Sequence, residues 1–168
     1  VIKERKHKVN FSCGVSINNL SLNENDIGDF RTFLKLSPPL RTEDDRLSLI
    51  KAINNDLINV IVSDHKPEDE ESKRLTFYQS ASGATGVETL LPLALELFHN
   101  DSIKLSKIIA SMTCNPAKIL KINKGNLNIG NDADFCIVDL YKPWILKKEN
   151  LPVEVFSNVD GNPTGSFC

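Results

Sequence analysis

The sequence has no long apolar run, no closely spaced cysteine pair and no excess of basic charge, and each absence excludes a class of protein. The longest apolar runs are far too short to cross a bilayer, so no membrane segment is expected. The formal net charge of −2 provides no broad basic surface for nucleic acid. The first residues, VIKERKHKVNF, lack the apolar core of a signal peptide.

The cysteines point to a reducing compartment. Cys13, Cys114, Cys136 and Cys168 form no C-x-x-C pair, which argues against a structural zinc site. Cys13 and Cys136 lie within apolar runs, where thiols behave as small buried hydrophobes. We therefore expect a cytoplasmic protein without disulfides. Apolar residues at 40% and charged residues at 25% are typical of a globular domain.

Strand-like and helical patterns alternate through the first 122 residues. HKVNFSCGVS and LINVIVSD predict strands, and INNLSLNENDIGDF between them predicts a loop with a short helical turn. The double proline at 38–39 excludes helix there, and Thr42 with Asp45 three residues later predicts a capped helix start. Segment 66–86 predicts a long loop. GVETLLPLALELFHND and KLSKIIASMTCNPAKIL predict helices, the second broken at Asn115-Pro116.

The pattern changes near residue 123. Turn residues from Gly125 onward surround short β-type runs at 127–129, 133–140 and 144–146. We expect an α/β module over residues 1–122 and a β-rich module over 123–168. The front module has the βα order of a parallel sheet, but two strands cannot form a buried parallel sheet, so it is expected to be part of something larger.

The predicted strand at residues 60–64 ends on Asp64, and His65 follows directly. Parallel α/β folds place their chemistry at the carboxyl ends of strands, so Asp64 is either an active-site carboxylate or a turn residue. His65 either orients Asp64 or is a buried histidine bonded to backbone. The sequence alone leaves both pairs of alternatives open.

Five separated blocks resemble bacterial dihydroorotase of the amidohydrolase superfamily, in family order and at family spacing. SPPLRTEDDR is similar to the family run N-P-P-L-R-x-x-x-D-R, SDHKPE to T-D-H-A-P-H, and GVETLLPL to G-x-E-T-x-x-P-L. NPAKIL and GNLNIGNDADFCIVDL match the C-terminal amidohydrolase pattern. VSINNLSLNENDIGDFRTF resembles a divergent alphaproteobacterial branch.

The resemblance implies the C-terminal part of a TIM-type (β/α)8 barrel, with strands seven and eight, their helices and part of a small β subdomain. It implies a zinc-dependent cyclic amide hydrolase that interconverts dihydroorotate and N-carbamoyl-aspartate in pyrimidine synthesis. Asp64 would bind metal and act as general base. Because the other family ligands lie on earlier strands, the segment alone is not expected to bind zinc tightly.

The same resemblance marks departures at the pocket. Substrate-binding positions fall on Ser37, Glu68, Ser82 and Gly83, where the family usually has Asn, His and a Phe-Gly pair. An acid at position 68 would repel an anionic substrate. Strand seven of the family ends T-P-H-H, and here Asn18 and Asn19 replace the two histidines.

These departures keep a second function open. Some degenerate dihydroorotase homologues are non-catalytic and serve as scaffold subunits for aspartate carbamoyltransferase. The expected partners are therefore dihydroorotate, with aspartate carbamoyltransferase as the alternative, and either a second copy or the N-terminal part of the barrel.

Overall fold

The computed structural model describes residues 11–143 and 145–146. The elements follow one another in a βα order through residue 120. They are β1 (Gly14–Ser16), α1 (Ile17–Ser21), two 3-10 turns (Glu24–Ile27 and Thr32–Leu34), α2 (Glu43–Asn54), β2 (Val60–Val62), α3 (Glu70–Lys73), α4 (Val87–His99), α5 (Leu105–Met112) and α6 (Cys114–Leu120).

The two strands lie side by side in parallel. Val15 pairs with Ile61, and Ser16 pairs with Val62. The carboxyl ends of both strands therefore meet at one edge of the sheet, which confirms that the run ending on Asp64 neighbours the strand before it along the chain. Both strands are shorter than the sequence pattern predicts, and residues 7–10 of the first run lie outside the described residues.

Local capping explains where the helices begin. The Thr42 hydroxyl accepts a hydrogen bond from the Asp45 amide at 3.2 Å, which confirms the predicted start of α2. Ser16 caps α1 in the same way, accepting from the Asn18 amide at 3.3 Å. The helix break predicted at Asn115-Pro116 is instead at Thr113. Pro116 lies in the first turn of α6, where backbone amides have no acceptor within the helix, so the missing N–H of proline costs no hydrogen bond.

One apolar core joins the sheet to the helices. Helix α1 packs against α2 and α4, and α5 packs against β2 and α4. Each fully buried aliphatic side chain contributes about 1.5–3 kcal/mol to folding, so this core fixes the direction in which β1 and β2 end. Its buried members are Val15, Ile17, Leu20, Ile50, Ile53, Ile58, Ile61, Leu93, Ala94, Leu97, Ile103 and Ile108.

A smaller cluster lies beyond the carboxyl edge of the sheet. Leu36, Leu40 and Ala84 are buried together, with Leu22, Ile27 and Leu34 packed against them. The cluster connects the loop after β1 to the segment after β2. Segment 66–86 is thus an ordered part of the site edge, and it contains helix α3 within the predicted loop.

The β-type runs after residue 123 do not form strands in the described part of the chain. Residues 127–129 and 133–140 carry no ladder pairing, and their side chains are mostly exposed, including Cys136 and Ile137. The prediction of strands here is wrong for this structure, because an alternating pattern becomes a strand only beside a hydrogen-bonding partner. Trp144, in the third run, lies outside the described residues. Among the residues described, no helix has the length and apolarity to cross a membrane.

Candidate active site

Asp64 lies two residues beyond the end of β2, at the carboxyl edge of the sheet. Its side chain is exposed and its backbone is left-handed, with φ of 51°. Aspartate tolerates this conformation better than most residues. The tight turn therefore stops the strand and presents a carboxylate outside the sheet edge.

His65 fastens this turn to the start of helix α4. Its Nδ1 accepts hydrogen bonds from the amides of Gly86 at 3.2 Å and Val87 at 3.3 Å, which places the ring proton on Nε2. The imidazole thus satisfies amides at a helix N-terminus that has no other side-chain cap. Of the two predicted roles, bonding to backbone is the observed one, but the side chain is exposed rather than buried.

Two glycines allow the close approach between the turn and the segment before α4. A Cβ at Gly86 would collide with the carbonyl of Ser63, and one at Gly83, whose φ is 152°, would collide with the carbonyl of Lys66. The Lys66 amide donates to the Ala84 carbonyl at 2.8 Å. Residues 63–66 are consequently held against residues 83–87 by backbone contacts.

Three of the predicted substrate-binding residues converge on a lysine that the sequence analysis did not single out. The Lys66 ammonium donates to the Ser82 carbonyl at 2.7 Å and lies 2.9 Å from the Glu68 carboxylate. Its methylene groups pass 3.1 Å from the position of a Cβ on Gly83. Glu68 therefore does not face the site as a lone acid.

Ser37 reaches the same edge through its neighbours. It is exposed and precedes Pro38 across a cis peptide bond. Two residues earlier, the Lys35 carbonyl accepts the Gly83 amide at 3.0 Å. The structure thus brings the loop carrying Ser37 against the segment carrying Ser82 and Gly83.

The two asparagines that follow β1 differ in environment. Asn18 is only 4% exposed, and its side-chain Nδ2 is buried without a hydrogen-bond partner in the described residues. The Asn19 side chain donates to the Pro39 carbonyl at 3.3 Å. A buried side-chain amide without a partner is uncommon, and a role in the site or a partner from outside the described residues would explain it.

The described residues fit one part of a zinc site. Catalytic zinc normally takes three protein ligands, and the described residues contain no group of three or more His, Cys, Asp or Glu side chains able to hold a metal. Asp64 offers one carboxylate of the right chemistry, exposed at the sheet edge. Further ligands would have to come from residues that the structure does not describe or from another chain.

A separate groove of about 970 Å³ lies between α4 and residues 137–143. The imidazole Nε2 of His99 lies 2.9 Å from the Leu140 carbonyl at this groove. None of the predicted site residues lines it. The sheet edge at Asp64, and not this groove, is therefore the candidate site.

The sequence profile of the amidohydrolase family matches residues 2–168. The chain belongs to the amidohydrolase family. It is 39% identical over 147 residues to a dihydroorotase of Ehrlichia canis, covering 87% of this chain and 33% of that protein. It is 37% identical over 142 residues to a dihydroorotase of Wolbachia from Drosophila simulans, covering 84% of this chain and 32% of that protein.

Solved amidohydrolase structures share the fold. The L-hydantoinase (dihydropyrimidinase) from Arthrobacter aurescens superposes with a TM-score of 0.71 at 28% identity, over 80% of this chain and 31% of that one. The dihydropyrimidinase from Brevibacillus agri gives 0.72 at 25% identity, over 79% and 31%. The chain spans about a third of the length of the relatives it matches. Its fold corresponds to part of an amidohydrolase of the TIM-barrel type.

The sequence contained a signal for Lys66 in the motif itself. The family run T-D-H-A-P-H has alanine where this chain has Lys66 and histidine where it has Glu68. A lysine and a glutamate, two residues apart, thus stand where the family has alanine and histidine. Treated as a pair, they predict the ion pair that the structure contains.

Proposed function

We propose that this chain provides strands seven and eight of a (β/α)8 amidohydrolase barrel, and that residues 123–168 belong to its small β subdomain. The assembled protein is a dihydroorotase-type hydrolase, which interconverts dihydroorotate and N-carbamoyl-aspartate in cytoplasmic pyrimidine synthesis. The observation that carries this proposal is the exposed Asp64 carboxylate just beyond the end of a parallel strand.

Asp64 acts as a metal ligand and as the general base of this reaction. A bound zinc ion would supply an acidified water and charge stabilisation for the amide oxygen. Asp64 accepts a proton from the attacking water and returns it to the ring nitrogen that leaves. The hydrogen bonds that His65 accepts from the start of α4 hold this turn and so limit the positions that the carboxylate can take.

The substrate ring lies against the edge formed by Ser37, Glu68, Ser82 and Gly83. Gly83 permits close approach of backbone, since it has no side chain and a φ of 152°. The segment that carries it is fixed by the contacts to Lys35 and Lys66. A preorganised wall of this kind positions a small ring without a large enclosed cavity.

A chimera tests the proposal directly. The matching third of the Ehrlichia canis dihydroorotase is replaced by this chain, and hydrolysis of dihydroorotate is measured with zinc present. We expect activity, and we expect the Asp64→Asn chimera to lose at least about 100-fold in kcat. The matched control is Asp101→Asn, because Asp101 is also exposed and also left-handed, with φ of 52°, but follows α4. An Asp64→Asn chimera with full activity would refute the catalytic assignment.

The second candidate function is a non-catalytic subunit that binds aspartate carbamoyltransferase. It is favoured by Asn18 and Asn19, which occupy the positions where the resemblance places two histidines. A chimera that folds but neither binds zinc nor hydrolyses dihydroorotate, while forming a complex with aspartate carbamoyltransferase, would establish this function instead.

The barrel assignment also implies an assembly partner. The described sheet has only two strands, so both of its outer edges carry backbone groups without a neighbouring strand in the described residues. We propose that the N-terminal part of the barrel, or a second copy of the chain, covers these edges.

A further inference from the structure

Lys66 and Glu68 form a charge pair beside the Asp64 carboxylate, at positions where the family run has alanine and histidine. The pair does not bury its charge. The Lys66 side chain is 61% exposed, while that of Glu68 is 21% exposed. The lysine therefore presents the more accessible charge at this point of the edge.

We propose that Lys66 is a specificity-determining residue, which receives the carboxylate of an anionic ring substrate in place of the family's histidine. The proposal rests on the function proposed above, because it assigns the group that selects the substrate of that same site. It gives Glu68, at the edge of the site, the further task of holding the ammonium of Lys66 in place.

The hydrogen-bond inventory of Lys66 leaves room for an anion. An ammonium carries three N–H donors. Two of them meet acceptors in the described residues, the Ser82 carbonyl at 2.7 Å and the Glu68 carboxylate at 2.9 Å. The remaining donor is available to a ligand, and the two fixed contacts restrict where it points.

Two further lysines lie near Glu68. Burial lowers the pKa of the Lys73 ammonium, Glu68 raises it, and Lys66 and Lys35 lower it, so these three charged groups all lie close to Lys73. Glu68 is therefore accompanied by cationic groups, which reduces the repulsion expected from an acid at position 68.

Backbone geometry holds the lysine close to the carboxylate turn. The Lys66 amide is bonded to the Ala84 carbonyl at 2.8 Å, and His65 before it is bonded to the start of α4. Lys66 lies two residues from Asp64 on this fixed turn. An anionic group held by Lys66 therefore lies close to Ser82 and Gly83, on the turn that carries Asp64.

The test compares two ring ligands that differ by one carboxylate. Binding of dihydroorotate and of neutral dihydrouracil to the 168-residue chain is measured by ligand-observed saturation-transfer NMR, which tolerates association of the protein. We expect Lys66→Met to weaken the affinity for dihydroorotate about five- to ten-fold and to leave the affinity for dihydrouracil within about two-fold of the parent value. Lys66→Arg should retain the preference for dihydroorotate.

Lys107→Met is the matched control. Lys107 also pairs with one carbonyl and one carboxylate, those of Asn54 and Asp56, but at the opposite end of β2. It should leave both ligands unchanged. Circular dichroism checks that each variant is folded, and Lys66→Arg keeps the test decisive if Lys66→Met is not.

Three results would overturn the proposal. They are an equal loss of affinity for both ligands in Lys66→Met, no loss of affinity for either ligand, or no dihydroorotate binding by the parent chain in the millimolar range. Failure of the catalytic proposal is distinguishable. A chimera without hydrolysis, together with carboxylate-selective binding that depends on Lys66, would refute catalysis and leave this inference intact.

Discussion

Lys73 is the most deeply buried charged group in the described part of the chain, and replacing it yields a quantitative prediction. Its side chain is 2% exposed, at the end of α3. The ammonium donates to the carbonyls of Thr32 and Lys35, each at 3.3 Å. Burial lowers its pKa from 10.5 to about 8, and the nearby Glu68 opposes this shift.

The direction of the stability change follows from proton binding. Because the folded-state pKa lies below the unfolded-state value, the unfolded chain binds more protons between pH 8 and pH 10.5. The free energy of unfolding should therefore rise with pH across this window. Below pH 8 both states are protonated, and the folded state carries the full penalty of the buried charge.

The size of this penalty has an upper limit. The shift from 10.5 to about 8, at 1.36 kcal/mol per unit, corresponds to about 3 kcal/mol. The true value should be smaller, because two carbonyl oxygens also favour the charged ammonium.

Lys73→Met should leave no buried carbonyl without a donor. The Thr32 carbonyl also accepts the Lys35 amide, and the Lys35 carbonyl also accepts the Gly83 amide, each at 3.0 Å. Methionine fills a similar volume without a charge. We therefore expect the variant to be as stable as the parent at pH 7, or more stable by up to about 3 kcal/mol, and to lack the rise between pH 8 and pH 10.5.

Urea unfolding followed by circular dichroism at a series of pH values measures both effects. Lys107→Met is the control, since its partly exposed ion pair with Asp56 should be worth at most about 1 kcal/mol and should not remove the pH dependence. The reasoning is refuted if Lys73→Met loses more than about 2 kcal/mol at pH 7 while the parent shows no rise in stability above pH 8. That result would mean that the carbonyl contacts outweigh desolvation.

Three further predictions follow from the turn and the sheet. His65→Ala should lower the free energy of unfolding by about 1 kcal/mol, measured by urea titration, because two amides at the start of α4 lose their acceptor. Gly86→Ala should lower the free energy of unfolding by about 1–3 kcal/mol, because the new Cβ would collide with the Ser63 carbonyl. Gly14→Ala, whose nearest new contact would be 3.7 Å away, should change the free energy of unfolding far less. The chain at micromolar concentration should associate in sedimentation equilibrium, because its sheet has two open edges; a single monomeric species would contradict this last expectation.

The sequence was most informative where short-range chemistry decides the structure. The start of α2 depends on one hydroxyl and one amide three residues apart, Thr42 and Asp45, so the motif contains the whole interaction. The parallel pairing of the two strands followed from the alternation of strand and helix, which favours that order. The position of Asp64 followed from the same order, since it comes directly after an apolar run.

Sequence patterns were least informative where a partner must be present. Residues 127–129 and 133–140 have strand-type composition, yet Ile137 is 92% exposed and no ladder forms in the described residues. Strand propensity measures how well a side chain fits a half-buried pleated surface, and it supplies no backbone donors of its own. The pattern therefore shows that these residues are suited to a strand, but a strand forms only if another part of the protein supplies a pairing partner.

The candidate site lies between these two cases, and it shows why a residue-by-residue comparison with a family can mislead. Position 68 considered alone places an acid where an anionic substrate should bind. The contact that changes this conclusion, between Glu68 and Lys66, is local in sequence, but its meaning depends on Ser82 and Gly83, which are distant in the chain. Those residues reach the lysine because His65 and Gly86 draw the strand end and the helix start together. The charge presented to a ligand is thus a property of the assembled edge, and a substitution there has to be judged with the neighbours that the fold supplies.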